Sequence, residues 1–382
     1  MNILKMYSHK RESKIERERI ERLIKWHKGE RAAPIKIDVE LHKRCNLKCL
    51  PCSRQASDFD LNKESMKKEM PLEKWLEIIN EAKELGILIW NIEGANEPMA
   101  VPELTMPVIK KVKENGMYGI ITTNGTLWNE DLIKELVEVS CDRIHFSLDS
   151  SNGDVHDYLR GVPGSFNKTV ENIRLLNKWK KKLNTESPML NINIIITKKN
   201  YKELPEFVEF CHELLVDYIF VEPLMIFHEN AKDLRLNEEE RKELPNIISM
   251  AKNIADKYGI DNNFATDDKN LNEDFVKSED KKEVLLNDSS GDENTLLMAP
   301  CFKCWNNMTI KYDGLCGHCG LINDGEYIQE KSLKEIWFGN DLESIREKML
   351  KKELLDHCSN CVPSDITQRR RFRKELEISL GE

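Results

Sequence analysis

The chain has 382 residues, of which 33% are charged and 40% hydrophobic, and it carries 58 Lys and Arg against 67 Asp and Glu, a net charge of −9. This composition is typical of a globular chain of two or three domains, and it excludes fibrous and disordered proteins. The negative charge argues against nucleic-acid binding, because it repels phosphate backbones. With no secretion signal or apolar window long enough to span a bilayer, we expect a cytoplasmic protein without membrane or nucleic-acid partners.

The hydrophobic pattern predicts a charged helical extension over 1–34, followed by six strands that alternate with six helices. The predicted strands cover 35–41, 87–92, 118–122, 143–148, 190–196 and 217–222. The predicted helices cover 71–85, 103–114, 130–139, 168–182, 202–215 and 238–258. This alternation predicts an α/β fold with a parallel sheet. Because a closed barrel needs eight units, the sheet is expected to be a partial (β/α)₆ TIM-like barrel or an open doubly wound sheet.

The chain is expected to divide into four parts. The barrel covers 35–260, and an acidic linker or insertion covers 261–296, where eleven acidic residues and four lysines show little periodicity. A small Cys-rich α+β domain with a helical tail covers 297–382. In both candidate sheets, ligands bind at the carboxyl ends of the strands, so polar residues that follow different strands converge on one rim.

Eleven cysteines are the strongest compositional signal. The reducing cytosol rarely preserves disulfides, so metal or thiol chemistry is favoured. The first group, Cys45-Asn-Leu-Lys-Cys49-Leu-Pro-Cys52, places three thiolates on the loop after the first strand. Three thiolates hold three corners of a four-iron cluster and leave one iron open to a chelating ligand. The alternative, structural zinc, prefers four ligands, and only His42 is available nearby.

This C-x₃-C-x₂-C loop at the start of a βα series resembles the radical S-adenosylmethionine (radical SAM) superfamily, over residues 35 to about 225. The resemblance implies that the open iron chelates S-adenosylmethionine. One electron from the cluster then releases a 5′-deoxyadenosyl radical that removes a hydrogen atom from the substrate. It also implies that Cys45, Cys49 and Cys52 bind the [4Fe–4S] cluster. The chain departs from the family pattern at Pro51, where an aromatic residue is common.

Residues after the later strands are candidate contacts to S-adenosylmethionine. Glu97, in Ile92-Glu-Gly-Ala-Asn-Glu97-Pro98, resembles the family's glutamate for the ammonium group, although this segment also suits a turn. Arg160 resembles the arginine that reaches the carboxylate, with a solvated loop arginine as the alternative. The other candidates are Asn124 after the third strand, Ser147 and Asp149 for the ribose hydroxyls, and the backbone of Val221 beside adenine.

The C-terminal cysteines form the second group. A hairpin-like stretch around Asp313-Gly314 is followed by Ser332-Leu-Lys-Glu-Ile-Trp337, an order of elements that resembles the SPASM domain or its shorter twitch form. The resemblance implies one auxiliary [4Fe–4S] cluster bound by Cys301, Cys319, Cys358 and Cys361. Cys304 and Cys316 are then spare, either as buried small residues or as hydrogen-atom donors to a substrate radical. A zinc ribbon is the alternative for this group.

These features predict a radical SAM oxidoreductase supplied with electrons by a partner such as flavodoxin or ferredoxin. We expect a small polar or sugar-like substrate, because only about 30 residues precede the first strand, too few for a peptide-binding winged-helix domain. The alternatives are a SPASM-type peptide maturase or epimerase and a non-enzymatic, zinc-stabilised binding protein. The basic run Arg369-Arg-Arg-Phe-Arg-Lys374 is expected to be a solvated helix face.

Overall fold

The computed structural model describes residues 3–55, 67–264, 285–286 and 295–381. Most of the acidic segment expected over 261–296 therefore lies outside the described residues. Within the described part of the chain, ten strands form one sheet in the order β10-β9-β8-β1-β2-β3-β4-β5-β6-β7. The strands are β1 (Lys36–Val39), β2 (Ile89–Ile92), β3 (Tyr118–Thr123), β4 (Arg143–Ser147), β5 (Met189–Ile196), β6 (Tyr218–Pro223), β7 (Asp261–Asn262), β8 (Asn307–Ile310), β9 (Leu315–Gly317) and β10 (Glu326–Tyr327).

Twelve α-helices connect and cover these strands in the described ranges. They are α1 (Ile3–His27), α2 (Leu72–Leu85), α3 (Pro102–Glu114), α4 (Glu130–Glu138), α5 (Gly153–Arg160), α6 (Ser165–Lys182), α7 (Leu204–Glu213), α8 (Glu238–Tyr258), α9 (Lys303–Asn306), α10 (Leu333–Trp337), α11 (Asn340–Leu350) and α12 (Pro363–Leu380). Of the helices described, none has the length and apolarity that crossing a bilayer requires.

Strands β1 to β6 lie next to one another in chain order, and every neighbouring pair is parallel. A doubly wound sheet reverses its strand order at a switch point, which this sheet does not do. With right-handed crossovers, the sequential order keeps the helices on one face, and the sheet curls toward a barrel. The predicted α/β class and partial (β/α)₆ barrel are therefore confirmed.

The Cys-rich C-terminal region joins the same sheet. Strand β8 pairs in parallel with β1, in the register that sets Lys36 opposite Asn307, and β9 returns antiparallel to β8 around the predicted Asp313-Gly314 turn. The first and last thirds of the chain are thus hydrogen-bonded side by side. This pairing places the C-terminal cysteines next to the strand that leads into the first cysteine loop.

Alternation along β1 separates the two faces of the sheet. Ile37 and Val39 are buried in the main hydrophobic core under the helices, together with the side chains of Trp75 and Trp90. Asp38 lies on the opposite face, where it accepts hydrogen bonds from the side chain of Asn91 at 2.8 Å and of Asn307 at 3.3 Å. The inner face of the barrel is therefore polar near β1.

The N-terminal helix crosses the amino ends of the strands. Arg11 of α1 pairs with Asp142 at 2.6 Å, and Glu12 accepts hydrogen bonds from Arg143 at 2.5 Å and from the Tyr118 hydroxyl. These contacts place α1 against the amino ends of β3 and β4, at the end of the strands opposite the cysteine loop.

The basic run in α12 differs from its expected role. Arg369 and Arg373 are buried and donate to the carbonyl oxygens of Pro300 and Ala299 at 2.7 and 2.9 Å, while Arg371 is exposed and pairs with Glu16. The prediction of a solvated helix face was therefore wrong for two of these arginines. They satisfy carbonyl groups of the segment that leads into Cys301, which fixes that segment against the tail helix.

Buried histidines should make the fold acid-sensitive. His145 on β4 contacts Asn193 Oδ1 at 3.1 Å through Nδ1, and burial lowers its pKa to about 3 from 6.5. Because the folded state disfavours protonation, stability present at pH 7 is lost as the pH falls below 6.5. Between pH 7 and pH 5, the free energy of unfolding measured in urea should fall by about 2 kcal/mol less for His145→Gln than for the unsubstituted protein. An identical pH dependence in both proteins would contradict this prediction.

Candidate functional site

The first three cysteines lie on the loop that follows β1, at the carboxyl end of the barrel strands. Two backbone hydrogen bonds attach this loop to the end of α5, from Lys48 N–H to Arg160 O at 3.2 Å and from Leu50 N–H to Leu159 O at 2.8 Å. The imidazole Nε2 of His228 lies 2.7 Å from Leu50 O. The cysteine loop is therefore held by α5, a helix that the sequence pattern did not predict.

Gly161 determines how closely the loop approaches α5. It ends the helix with φ of 68°, in the left-handed region, and a Cβ atom at this position would lie 2.2 Å from Lys48 O. Only glycine combines this backbone conformation with such a close approach. At the other end of α5, the Asn152 side chain caps the first N–H groups. These two residues were the available signals for the missed helix.

The three thiols are free and half-buried, and N–H groups point at two of the sulfurs. Asn124 Nδ2 lies 4.0 Å from Cys45 Sγ, and Arg160 Nη1 lies 3.9 Å from Cys49 Sγ. Burial raises the pKa of the Cys49 thiol to about 11, and the Arg160 guanidinium opposes that rise. Burial also raises the pKa of Cys45. The nearby donors favour negatively charged sulfur, the form in which cysteine binds a cluster.

The donor set of this loop fits a four-iron cluster. Cys45, Cys49 and Cys52 are free thiols within eight consecutive residues. Three thiolates can hold three corners of such a cluster and leave one iron free. Binding of a cluster by these three residues stays a proposal.

Asp149 and Arg160 form a buried ion pair beside Cys49. Asp149 Oδ2 lies 2.7 Å from Arg160 Nε, and the two side chains are 1% and 11% exposed. Asp149 Oδ1 accepts a hydrogen bond from Ile195 N–H at 3.1 Å, so protein groups contact both carboxylate oxygens. Asp149 therefore orients the guanidinium that reaches Cys49. Ser147, the last residue of β4, is half-buried, and its contact with the ribose stays a prediction.

Glu97 connects the loops after β2 and β3. Its buried carboxylate accepts hydrogen bonds from the Thr123 hydroxyl at 2.6 Å, Asn124 N–H at 2.6 Å and Met99 N–H at 3.1 Å. Burial raises the pKa of Glu97, and these hydrogen bonds oppose that rise. The side chain of Asn124 in turn donates to Asn46 Oδ1 at 3.0 Å. Glu97 thus holds Asn124 in place beside the cysteine loop. Contacts of Glu97 and of Asn124 with the cofactor stay predictions.

Val221 lies on β6, where the sequence predicted backbone contacts with adenine. Its N–H donates to Asn263 Oδ1 at 2.7 Å, and its carbonyl accepts from Asn263 Nδ2 at 2.9 Å. Both backbone groups are therefore already hydrogen-bonded within the protein. Asn263 directly follows β7, so its side chain continues the pairing of β7 with β6, and the contact of Val221 with adenine stays a prediction.

A cavity of about 940 Å³ lies between the carboxyl ends of β1 and β2 and the C-terminal cysteines. Its barrel-side wall includes Glu40, Lys43 and Glu93, and Ser53 lines it beside the first cysteine loop. The four predicted auxiliary-cluster ligands also line it: Cys301, Cys319, Cys358 and Cys361. The structure therefore brings these four cysteines to one cavity beside the barrel strands, and ligation of a cluster by them stays a proposal.

Cys304 and Cys316 are both buried, and neither lines this cavity. A hydrogen bond with Cys304 lowers the pKa of Cys301 to about 7, against the effect of burial. The thiol of Cys316 lies 3.5 Å from Gly314 O within the β8–β9 hairpin. Their packing matches buried small residues, and a role in hydrogen-atom donation stays a prediction.

The structure adds a pair of histidines that the sequence did not single out. The rings of His318 and His357 lie 5.6 Å apart between centroids, and both line the cavity. Burial lowers the pKa of both, that of His318 to about 3, so both are neutral near pH 7. Each directly precedes a predicted cluster cysteine in the chain. The position of each histidine directly before a cysteine was the signal that the sequence offered. The two histidines lie far apart in the chain, so no helical i, i+4 spacing identified them as a pair.

Comparison with known families matches two parts of the chain. Residues 39–211 match the family model described as the radical SAM superfamily, and residues 301–362 match SPASM, described as an iron-sulfur cluster-binding domain. A radical SAM domain implies a [4Fe–4S] cluster and S-adenosylmethionine, and a SPASM domain implies auxiliary iron-sulfur clusters. The family matches therefore confirm the types of cofactor expected from the sequence, which are a [4Fe–4S] cluster, S-adenosylmethionine and auxiliary iron-sulfur chemistry.

Three curated relatives illustrate the range of similar proteins. The tungsten-containing aldehyde ferredoxin oxidoreductase cofactor-modifying protein of Pyrococcus furiosus is 31% identical over 49% of this chain and 51% of its own. A PqqA peptide cyclase of Granulibacter bethesdensis is 30% identical over 46% of this chain and 43% of its own. The Fe-coproporphyrin III synthase of Methanosarcina barkeri is 24% identical over 89% of this chain and 83% of its own. The chain thus spans about half the length of the first two.

Solved structures show a similar fold. Streptococcus suis SuiB bound to the precursor peptide SuiA has a TM-score of 0.62 at 19% identity, covering 82% of this chain and 67% of SuiB. Native anSMEcpe with bound AdoMet and the Kp18Cys peptide has a TM-score of 0.60 at 15% identity, covering 91% of this chain and 97% of that chain. At these identities the likeness establishes the fold alone.

Proposed function

We propose that this chain modifies a peptide substrate by radical chemistry, because residues 39–211 match the radical SAM superfamily and residues 301–362 match the SPASM domain. The observation that carries this proposal is the cavity of about 940 Å³ between the barrel mouth and the auxiliary cysteines. Ligand-binding cavities have volumes of about 300–1,000 Å³, so this cavity has room for a side chain of a peptide, and the choice of a peptide rests on the comparisons with known proteins. The peptide alternative from the sequence thus replaces the small sugar-like substrate as the favoured interpretation.

The cavity has an apolar rim and a charged interior. Phe227 and Tyr327 line it and are 36% and 39% exposed, so aromatic surface is available to an incoming chain. Exposed aromatic side chains beside a polar cavity are typical of peptide and protein recognition. Lys43 and Glu93, which also line the cavity, provide charged partners for one side chain of the substrate.

The comparisons support a peptide substrate more than a small sugar. One relative is named as a peptide cyclase, and two similar structures contain bound peptides. When bound, the cluster and S-adenosylmethionine supply the homolytic cleavage and hydrogen-atom abstraction that side chains alone cannot perform. The protein's own part is to orient the cofactor through Arg160 and Asn124, and to hold the peptide in a cavity shielded from bulk water.

The test measures substrate-dependent cofactor cleavage. Reconstituted protein is incubated without oxygen with dithionite, S-adenosylmethionine and synthetic peptides encoded beside its gene. We expect peptide-dependent 5′-deoxyadenosine and a peptide that has lost two hydrogen atoms, read by mass spectrometry. The Cys45→Ala variant is the control and should form neither product. Stimulation by Fe-coproporphyrin or by sugar alcohols, with none by peptides, would contradict the proposal.

A further inference from the structure

Lys303 lies between the auxiliary cysteines and the barrel. Its backbone N–H donates to Cys301 Sγ at 3.4 Å, and its ammonium lies 2.6 Å from Asp365 Oδ2. Both residues line the cavity together with Cys319 and with Asp38 of β1. Each of the two charged side chains is about 25% exposed, and the same cavity is lined by the four predicted cluster cysteines.

The positive charge of Lys303 acts on the predicted sulfur ligand Cys319. Lys303 opposes the effect of burial on the thiol of Cys319, and it also interacts with Asp38 on the inner face of the barrel. Charges in such a partly buried site are weakly screened, so their effect on a nearby redox group is large. Hydrogen bonds to the sulfurs and local charge both set the reduction potential of an iron-sulfur cluster.

We propose that Lys303 raises the reduction potential of the auxiliary cluster, and that Asp365 limits the size of this effect. The inference rests on the proposed binding of one auxiliary cluster by Cys301, Cys319, Cys358 and Cys361. Reduction adds negative charge to the cluster, and a neighbouring cation stabilises that charge. The Asp365 carboxylate carries the opposite charge and partly cancels the cation. Lys303 thus acts through the cluster, as a positioning residue whose charge changes the reduction potential, and it contacts no reacting atom.

Removal of one or the other partner of the Lys303–Asp365 ion pair should shift the reduction potential of the cluster in opposite directions. Lys303→Met should lower the potential, because the stabilising cation is lost. Asp365→Asn should raise it, because the cation is no longer neutralised, and the double variant should fall between the two. A purely structural ion pair would shift the potential in the same direction when either partner is removed. Opposite shifts therefore identify an electrostatic role.

The experiment measures the auxiliary cluster alone. The full chain with Cys45, Cys49 and Cys52 replaced by alanine is reconstituted with iron and sulfide, and its potential is measured by redox titration followed by electron paramagnetic resonance. The matched control is Lys252→Met, which removes a second lysine whose ammonium lies 2.6 Å from a carboxylate, that of Asp256 on the exposed face of α8. This control should leave the potential unchanged.

Three outcomes would overturn the inference. They are an unchanged potential in Lys303→Met, a shift of the same sign in Lys303→Met and Asp365→Asn, and loss of the cluster from Lys303→Met, which would assign Lys303 to cluster binding. Lys303→Arg keeps the cation and should restore most of the potential. If the parent protein binds no auxiliary cluster at all, the cluster assignment fails, which is distinct from a failure of peptide modification.

Discussion

Replacement of Cys45, Cys49 and Cys52 by alanine is expected to reduce 5′-deoxyadenosine formation to the level of the reaction without protein. Each thiol supplies one corner of the proposed cluster, and the loop that carries them is held by its own backbone hydrogen bonds to Arg160 and Leu159. The fold should therefore survive while the metal site is lost. Iron content is expected to fall by about four atoms per chain, measured after anaerobic reconstitution.

The control for this prediction is a cysteine outside both groups. Cys211 is fully buried on α7, and Cys211→Ala should retain the iron and the cofactor cleavage. Circular dichroism of the triple variant should match the unsubstituted protein. Unchanged 5′-deoxyadenosine formation in the triple variant would rule out this loop as the cluster site.

Asp149→Asn is expected to lower the free energy of unfolding by about 3–5 kcal/mol, because it leaves the buried guanidinium of Arg160 without its counter-charge. The same change frees Arg160 from the orientation that brings it to Cys49, so the affinity for S-adenosylmethionine should also fall. Urea unfolding and equilibrium dialysis with labelled S-adenosylmethionine measure the two effects separately.

An exposed ion pair provides the comparison. Lys178 and Glu130 lie 3.2 Å apart with side chains 63% and 53% exposed, so Glu130→Gln should change the free energy of unfolding by less than about 1 kcal/mol. The double variant Asp149→Asn, Arg160→Gln should be less destabilised than the sum of its single changes, because no unpaired charge remains. A loss below about 1 kcal/mol in Asp149→Asn would show that the pair contributes little.

The arginines of α12 show why the run of basic residues led to a wrong prediction of a solvated face for this helix. A run of cations is most often solvated, but Arg369 and Arg373 find carbonyl acceptors in the segment around Pro300. Those acceptors are 69 and 74 residues away in the chain. The sequence around an arginine contains no information on a partner that lies so far away in the chain. The prediction failed because carbonyl groups of a distant segment bind these two arginines and bury them.

The sequence by itself determined the α/β class, the order of strands and helices, and both cysteine groups, because hydrophobic periodicity and ligand spacing act over a few residues. The tertiary structure alone decided that Arg160 reaches Cys49, that His318 meets His357, and that Lys303 pairs with Asp365 beside the auxiliary thiols. It also decided the pairing of β8 with β1, which places the cavity lined by the C-terminal cysteines beside the strand that leads into the first cysteine loop. These contacts join distant segments through packing and charge, and neither leaves a periodic signal in the chain.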